Sequence, residues 1–388
     1  MSAAGDTICH LVNSSERMQR DQSVDCARAV AVILVTFFHV WRAIDYPSIN
    51  LPGGFDLLAP LKNGWIGVGL FFVISGYCMG PSADRSFPNG LRAGDYGRYF
   101  LKRLFRIAVP YYASIAVWYW LINAYEIAPK ATGLNDIVSH LLFVHNFSES
   151  TFFSISGVYW SIAPEMQFYI LLPVLLALFT TASSRVVLLI GSAGLMVAVS
   201  LLPGTSHPLK WGLLNYFFLF VFGWLLSCYR EAISTRLMRW KALPSIGLCL
   251  TILLFRGVDQ GAAESRVFEA LLSVLAGLML VVASTSDGAR NTGTTGQILA
   301  FIGRCSFSIY LYNYILYAVR PTGANIAVFV SLVTTVLGFG VLMYYLVEFN
   351  SEKLRRRVFR PRAVARMLND STLASAMTTS DTGRTAAN

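Results

Sequence analysis

The sequence predicts an all-α integral membrane protein, a bundle of about ten transmembrane helices with both termini in the cytoplasm. Three observations carry this. Hydrophobic residues make up 55% of the 388 and charged residues only 13%, about half the charged fraction of a typical soluble protein. The apolar residues come in continuous stretches of helix-spanning length, repeated along the chain. They do not alternate with polar residues over about ten positions, as the strands of an outer-membrane barrel do. Finally, Lys and Arg are unevenly shared between alternate loops.

In chain order the spans are expected at about 26–44, 64–82, 107–125, 158–179, 186–203, 210–228, 243–256, 267–285, 298–317 and 325–347. The first follows a polar, charged segment and has no small-residue cleavage site after it. It therefore reads as a retained span, not a signal peptide. The seventh is short. With the N-terminus inside, the cytoplasmic segments hold Arg17 and Arg20, the run from Arg85 to Arg106, Arg185, the run from Arg230 to Lys241, Arg290 and Arg304, and the tail from Lys353 to Arg366. The outside loops hold only Arg42, Lys62, Lys130, Lys210, Arg256, Arg266 and Arg320, about a threefold asymmetry that obeys the positive-inside rule. Adding or removing one span would scramble it.

Three regions follow: a cytoplasmic N-terminal segment, 1–24; a membrane domain, 25–348; and a tail, 349–388, basic at first and then disordered in composition. The basic part of the tail suits anionic lipid headgroups. The longest outside loop, 126–157, is expected to form a short interfacial segment around 137–147. The net charge of +10 reads as topology and lipid contact, so no nucleic-acid partner is expected. Cys9, Cys26, Cys78, Cys228, Cys249 and Cys305 are scattered with no CxxC pair, which predicts neither a disulfide framework nor a metal site.

Ionisable side chains inside spans are costly and are functional candidates by default. His39 lies well inside the first span, Glu165 inside the fourth, and Arg28 at the start of the first. Eleven helical steps of about 100° put Arg28 and His39 on nearly one face, roughly 16 Å apart. The fourth span runs the other way, which puts Glu165 at a depth comparable to His39. A carboxylate beside an imidazole makes a plausible general base. Taken alone, His39 also fits a polar residue bonded across a helix interface. Glu165 fits a buried carboxylate satisfied by an amide or Tyr, and Arg28 reads first as a snorkelling anchor. Arg103 and Arg106 share a helix face, and paired guanidinium forks suit phosphate oxygens, although charge for topology explains them equally. Glycines 64, 67 and 69 lead into an apolar span and read as close packing, not as a phosphate loop.

Five segments taken in order resemble the acyltransferase-3 family of membrane acyltransferases. They are DCARAVAVILVTFFH, GWIGVGLFFVISGYCMG, LKRLFRIAVPYY, YWSIAPEMQFYILLPVLL and IGRCSFSIYLYNYIL. The resemblance covers about residues 24–348. It implies about ten core helices and transfer of an acyl group, usually acetyl from cytoplasmic acetyl-CoA, to a hydroxyl of a glycan, lipid-linked sugar or other small molecule. It implies that Arg28 and His39 are catalytic, with His39 the general base, and that Glu165 lines the core. Arg103 and Arg106 would meet the phosphates of the donor. Phe71, Phe72, Ser75, Gly76 and Tyr77 would shape the tunnel, with Ser75 and Tyr77 on the donor side. The chain departs from the pattern at Gly69, where many members have Asp, at Asn313, where many have His, and at Met166, where a second Glu is common. No outside SGNH-type domain is expected after the membrane part.

The expected function is thus acetyl transfer at the bacterial cytoplasmic membrane to O-antigen, exopolysaccharide or a lipo-oligosaccharide, with Glu165 orienting His39. The alternatives are the same chemistry on a small molecule such as a macrolide, or a transporter or flippase in which His39 and Glu165 relay protons. Acceptor, acyl chain length and oligomeric state are not legible in the sequence.

Overall fold

The structure, a computed structural model, describes residues 22–45, 47–52, 55–56, 58–87, 90–127, 131–204, 206–237, 263–285, 293–319, 323 and 325–359. The expected seventh span, most of the N-terminal segment and the tail beyond 359 lie outside the described residues. Among the described residues the chain is almost entirely helical, with one two-stranded antiparallel ribbon that pairs Asn50 with Asp56 and Leu51 with Phe55.

The first helix, α1 (Gln22–Ala43), has Asp25 in its first turn and Arg42 in its last, both favourable to the helix dipole. A single 3₁₀ turn at Gly64–Ile66 leads into α2 (Gly67–Ser86). Helix α3 (Ala93–Tyr125) begins well before the expected position near 107. Apolarity marks only its membrane part, whereas Arg, Lys and Leu are good helix formers and continue it back to Ala93. A short helix, α4 (Leu134–Leu141), and a 3₁₀ turn at His145–Phe147 occupy the region where an interfacial segment is expected. Then come α5 (Ile162–Leu178), α6 (Ala182–Leu201), α7 (Leu213–Cys228), α8 (Arg230–Leu237), α9 (Ala263–Thr285), α10 (Thr294–Leu311), α11 (Ile315–Val319) and α12 (Ile326–Met343). A π-helical turn, Tyr344–Glu348, joins α12 to α13 (Phe349–Val358).

Seven of the described helical segments are long and apolar enough to cross a membrane: α1, α2, α5, α6, α7, α9 and the stretch from α12 to α13. Helices α3 and α10, richer in aromatic and polar side chains, are not among them. Helix α6 exposes Val186, Val187, Ile190 and Val197, the surface a lipid-facing helix needs.

The packing that places the site is glycine-mediated. Helix α1 packs against α2, α9, α10 and α12, and α2 packs against α7. A Cβ at Gly76 of α2 would strike the Phe220 carbonyl of α7, and one at Gly223 of α7 would strike the Val73 carbonyl of α2. Between α10 and α1, a Cβ at Gly303 would run into the carbonyl of Asp25. Small residues at such points let backbones touch, which supplies the van der Waals contact that drives helix association in lipid. Gly76→Val is accordingly expected to destabilise by at least about 1–3 kcal/mol, lowering the thermal-shift midpoint in detergent by several degrees. Gly191→Ala in α6, where an added Cβ meets nothing within 4 Å, is expected to be neutral or slightly stabilising.

The α4 region is held by a buried histidine pair. The His140 and His145 rings stack at 3.9 Å. His140 Nδ1 is 2.6 Å from the Tyr111 hydroxyl and its Nε2 is 3.1 Å from Ser154 Oγ. His145 Nε2 meets the Tyr159 carbonyl at 3.0 Å. Burial, and then the neighbouring His145, lower the His140 pKa from 6.5 to about 2. Burial lowers that of His145 to about 4. Both rings are therefore neutral when folded, and the unfolded chain binds protons more readily below pH 6.5. Stability from this pair is present above the unfolded value and is lost as pH falls towards 4 and below. The melting temperature is expected to drop between pH 7.5 and pH 5, and His145→Gln is expected to shrink that drop, as a thermal-shift series at both pH values would show.

Candidate active site

Two cavities meet inside the bundle, and α1 contributes to both. Arg28 lies in its second turn, where its Nη1 donates to Asp25 Oδ1 at 3.4 Å and its Nη2 to Cys78 Sγ at 3.5 Å. Arg103 and Arg106 come from α3, three residues apart and so on one face. Arg304 comes from α10. All four arginines line one cavity of about 100 Å³, together with Glu165 and Glu348.

The two carboxylates are engaged by hydroxyls. Glu165 Oε1 accepts from Ser75 Oγ at 2.6 Å and from the Tyr169 hydroxyl, one turn further along α5. Glu348, on the π-helical turn, accepts from Ser308 Oγ at 2.6 Å. Arg103 donates to Ser82 Oγ, and its Nε has no hydrogen-bond partner. Four guanidinium groups against two carboxylates make a wall of net positive charge, with forked donors that match phosphate oxygens.

The second cavity, about 440 Å³, is largely aromatic and has Arg42 in its lining. His39 lines it, with Trp65, Trp160, Trp211, Tyr216 and Glu269. The His39 ring is 9% exposed, edge-on to Tyr314 at 5.2 Å, and its Nδ1 has no hydrogen-bond partner. Val68 and Tyr310 line both cavities, so the two spaces adjoin at these side chains. Tyr310 is pinned there: its hydroxyl pairs with Ser161 Oγ at 2.7 Å and donates to the Val158 carbonyl at 2.9 Å.

The structure thus brings Arg28, Arg103, Arg106, Ser75 and Glu165 to one cavity and His39 to the next. The eleven-residue spacing on α1 does what one helix face permits: its two polar residues serve two adjoining spaces. Tyr77 is not among the residues lining the arginine cavity; its hydroxyl lies 3.0 Å from Ser284 Oγ. Ser75 and Tyr77 are two residues apart, about 200° on a helix, so one faces the cavity and the other faces α9. The expected pairing of Glu165 with His39 has no hydrogen bond behind it, because Glu165 is bonded to Ser75 and Tyr169. The carboxylate in the His39 cavity belongs to Glu269 instead.

Four ionisable residues of these walls are not singled out by reading the sequence. Arg42 and Arg304 are absorbed there into the counts of outside and cytoplasmic charge. Glu348 marks no more than the end of an apolar run. Glu269 had a signal, an acidic residue inside an apolar span three positions after Arg266, the spacing of a helical ion pair. Two of the three departures from the family pattern, Gly69 and Asn313, also gain a physical reason. A side chain at Gly69 would collide with Ser273 Oγ and with Glu269 at 2.6–2.9 Å, so Glu269 takes the room an Asp there would need. Asn313 is fully buried and donates to Thr36 Oγ1 at 2.9 Å, one turn before His39.

No curated protein and no solved structure matches the chain. The family model described as an acyltransferase domain, that of acyltransferase-3, matches residues 21–347, most of the length over which the two cavities are built, and the chain therefore belongs to this family of membrane acyltransferases.

Proposed function

We propose that this acyltransferase moves an acetyl group from cytoplasmic acetyl-CoA to a hydroxyl of a glycan or lipid-linked sugar at a bacterial cytoplasmic membrane. One observation supports it above the rest. A cavity walled by four arginines adjoins an aromatic cavity that holds His39, with only Val68 and Tyr310 lining both. On the positive-inside reading, the arginine cavity faces the cytoplasm. It is suited to a polyphosphate donor that cannot enter hydrocarbon. The uncharged pantetheine arm is slim enough to pass Arg28 and present its thioester at the boundary.

The chemistry then needs one base. The His39 imidazole takes the proton of the acceptor hydroxyl as the oxygen attacks the thioester carbonyl. The tetrahedral oxyanion collapses and the carbon–sulfur bond breaks. The CoA thiolate leaves and receives the proton from the imidazolium. The products are an O-acetyl ester and free CoA, and His39 is neutral again. Burial without a bonded carboxylate suits this cycle, since the ring must rest in its neutral form. In this scheme Glu165 does not tune His39; it fixes Ser75 and Tyr169 along the path of the arm.

Purified protein in detergent, given acetyl-CoA and an acceptor, is expected to release free CoA thiol in an acceptor-dependent way. Acceptor movement across a vesicle membrane without thiol release would assign transport instead. His39→Ala is expected to lower acetyl transfer by about 10²- to 10⁴-fold, the usual contribution of a general base, while the protein still inserts and elutes as a single species. Near-normal transfer by that variant would end the scheme. Arg106→Ala and Arg304→Ala are each expected to raise KM for acetyl-CoA about tenfold or more, the cost of one lost charge-assisted contact, with a smaller effect on kcat. Steady-state thiol-release kinetics at varied donor concentration would measure both.

A further inference from the structure

A third cavity, of about 430 Å³, plays no part in the scheme above. It shares Phe153, Gly157 and Tyr314 with the His39 cavity and no lining residue with the arginine cavity. The three spaces therefore stand in series, with His39 in the middle one. Ala131, Glu149 and Ser150 line the third cavity and are exposed, so it opens at the protein surface. Among the described residues its charged lining is Asp136 and Glu149, the latter paired with His207 Nδ1 at 2.5 Å.

The junction between the His39 cavity and the third one has an unusual build. Tyr314 sits in the turn between α10 and α11. Its ring is edge-on to His39 at 5.2 Å and tilted against Tyr317 at 4.7 Å. Its hydroxyl rests on Gly157, where an added Cβ would collide with it. A residue with a side chain could not let the phenol lie so close. Two positions earlier, Ile155 has a φ of +68°, and across it Ser156 N donates to the Ser154 carbonyl at 2.8 Å. This is a three-residue γ-turn of the positive-φ kind, which is rare and strained. A β-branched residue is an outlier in that region. Such strain persists where its surroundings enforce it, and it clusters at ligand sites. Here it lies in the short segment that brings Ser154 and Ile155 to the third cavity and Gly157 to both.

We propose that the third cavity is the vestibule of the acceptor, and that the acceptor reaches His39 between Gly157 and Tyr314, the Tyr314 ring being the movable side of the passage. Glycine at 157 sets its width. The passage admits a slim hydroxyl-bearing end and turns back a bulky one, so these two residues select acceptors by size. Tyr314 is a positioning residue and takes no proton. The acyltransferase reading supplies what passes; the passage itself does not depend on it, and the test separates the two.

The test measures how fast a small cationic thiol reagent, trimethylammonium-ethyl methanethiosulfonate, labels single cysteines. It uses the full chain in detergent, with the native cysteines replaced by alanine. The four arginines of the first cavity repel a cation, so the reagent reports on the other route. Thr132→Cys puts a thiol in the third cavity and Val35→Cys puts one in the His39 cavity. Both are expected to react, Val35→Cys more slowly. Gly157→Leu fills the junction and is expected to slow Val35→Cys by about tenfold or more, the effect of about 1.4 kcal/mol of added barrier. Tyr314→Ala withdraws the ring and is expected to speed Val35→Cys severalfold. Neither is expected to change the rate at Thr132→Cys. Arg42 lines the His39 cavity in every variant, so it does not alter these ratios. The opposed responses guard against misfolding, because a loosened protein would expose both thiols faster. Val35→Cys rates that ignore both substitutions, or that move in step with Thr132→Cys, would overturn the proposal. Labelling that responds as expected, in a protein that releases no CoA thiol with any acceptor, would keep the passage and discard the acyltransferase reading. Acceptor-dependent thiol release with an unresponsive Val35→Cys would do the reverse.

Discussion

Backbone contact between helices is the constraint on which the remaining architecture depends. In a bundle bathed by lipid, apolar side chains gain little by meeting one another, because the surrounding acyl chains are equally apolar. Association then rests on how closely main chains approach. The Gly76 and Gly223 contacts bring α2 and α7 into touch, and Gly303 seats α10 on the first turn of α1 at Asp25. Arg28, Ser75, Arg304 and Tyr310 line the cavity between these helices.

The centre is divided by chemistry as much as by shape. On one side, guanidinium groups outnumber carboxylates, and Glu165 and Glu348 each accept hydrogen bonds from neighbouring hydroxyls. On the other, tryptophan and tyrosine rings surround His39, with Arg42 and Glu269 also in the lining. Tyr310, tied to Ser161 and Val158, stands at the boundary, where a thioester and a hydroxyl would have to meet.

Sequence reading finds the residues whose cost is visible along the chain. His39 and Glu165 interrupt apolar runs, and Arg103 and Arg106 recur at a helical interval. It misjudges relations that depend on which helix lies opposite. Glu165 and His39 share an expected depth, but depth along the membrane normal does not make two side chains neighbours. Tyr77 belongs to the same motif as Ser75, yet helical rotation carries it to the far side of α2, against Ser284. Arg266 reads as loop charge because a span boundary set by apolarity falls just beside it, whereas the folded chain buries it between Trp211 and Tyr216.

By itself, then, the sequence determined that this is an all-helical membrane protein, which family it resembles, and that α1 presents an arginine and a histidine on one face. Those are properties of composition and of the 3.6-residue repeat, and they need no partner helix. Only the tertiary structure decided that the two residues serve separate cavities, that Arg304 and Glu348 join Arg28, and that Glu269, not Glu165, shares a wall with His39. Each of these depends on the rotation and spacing of helices far apart in the chain. In this bundle rotation and spacing are set by where glycines let backbones touch, which one-dimensional hydropathy does not record.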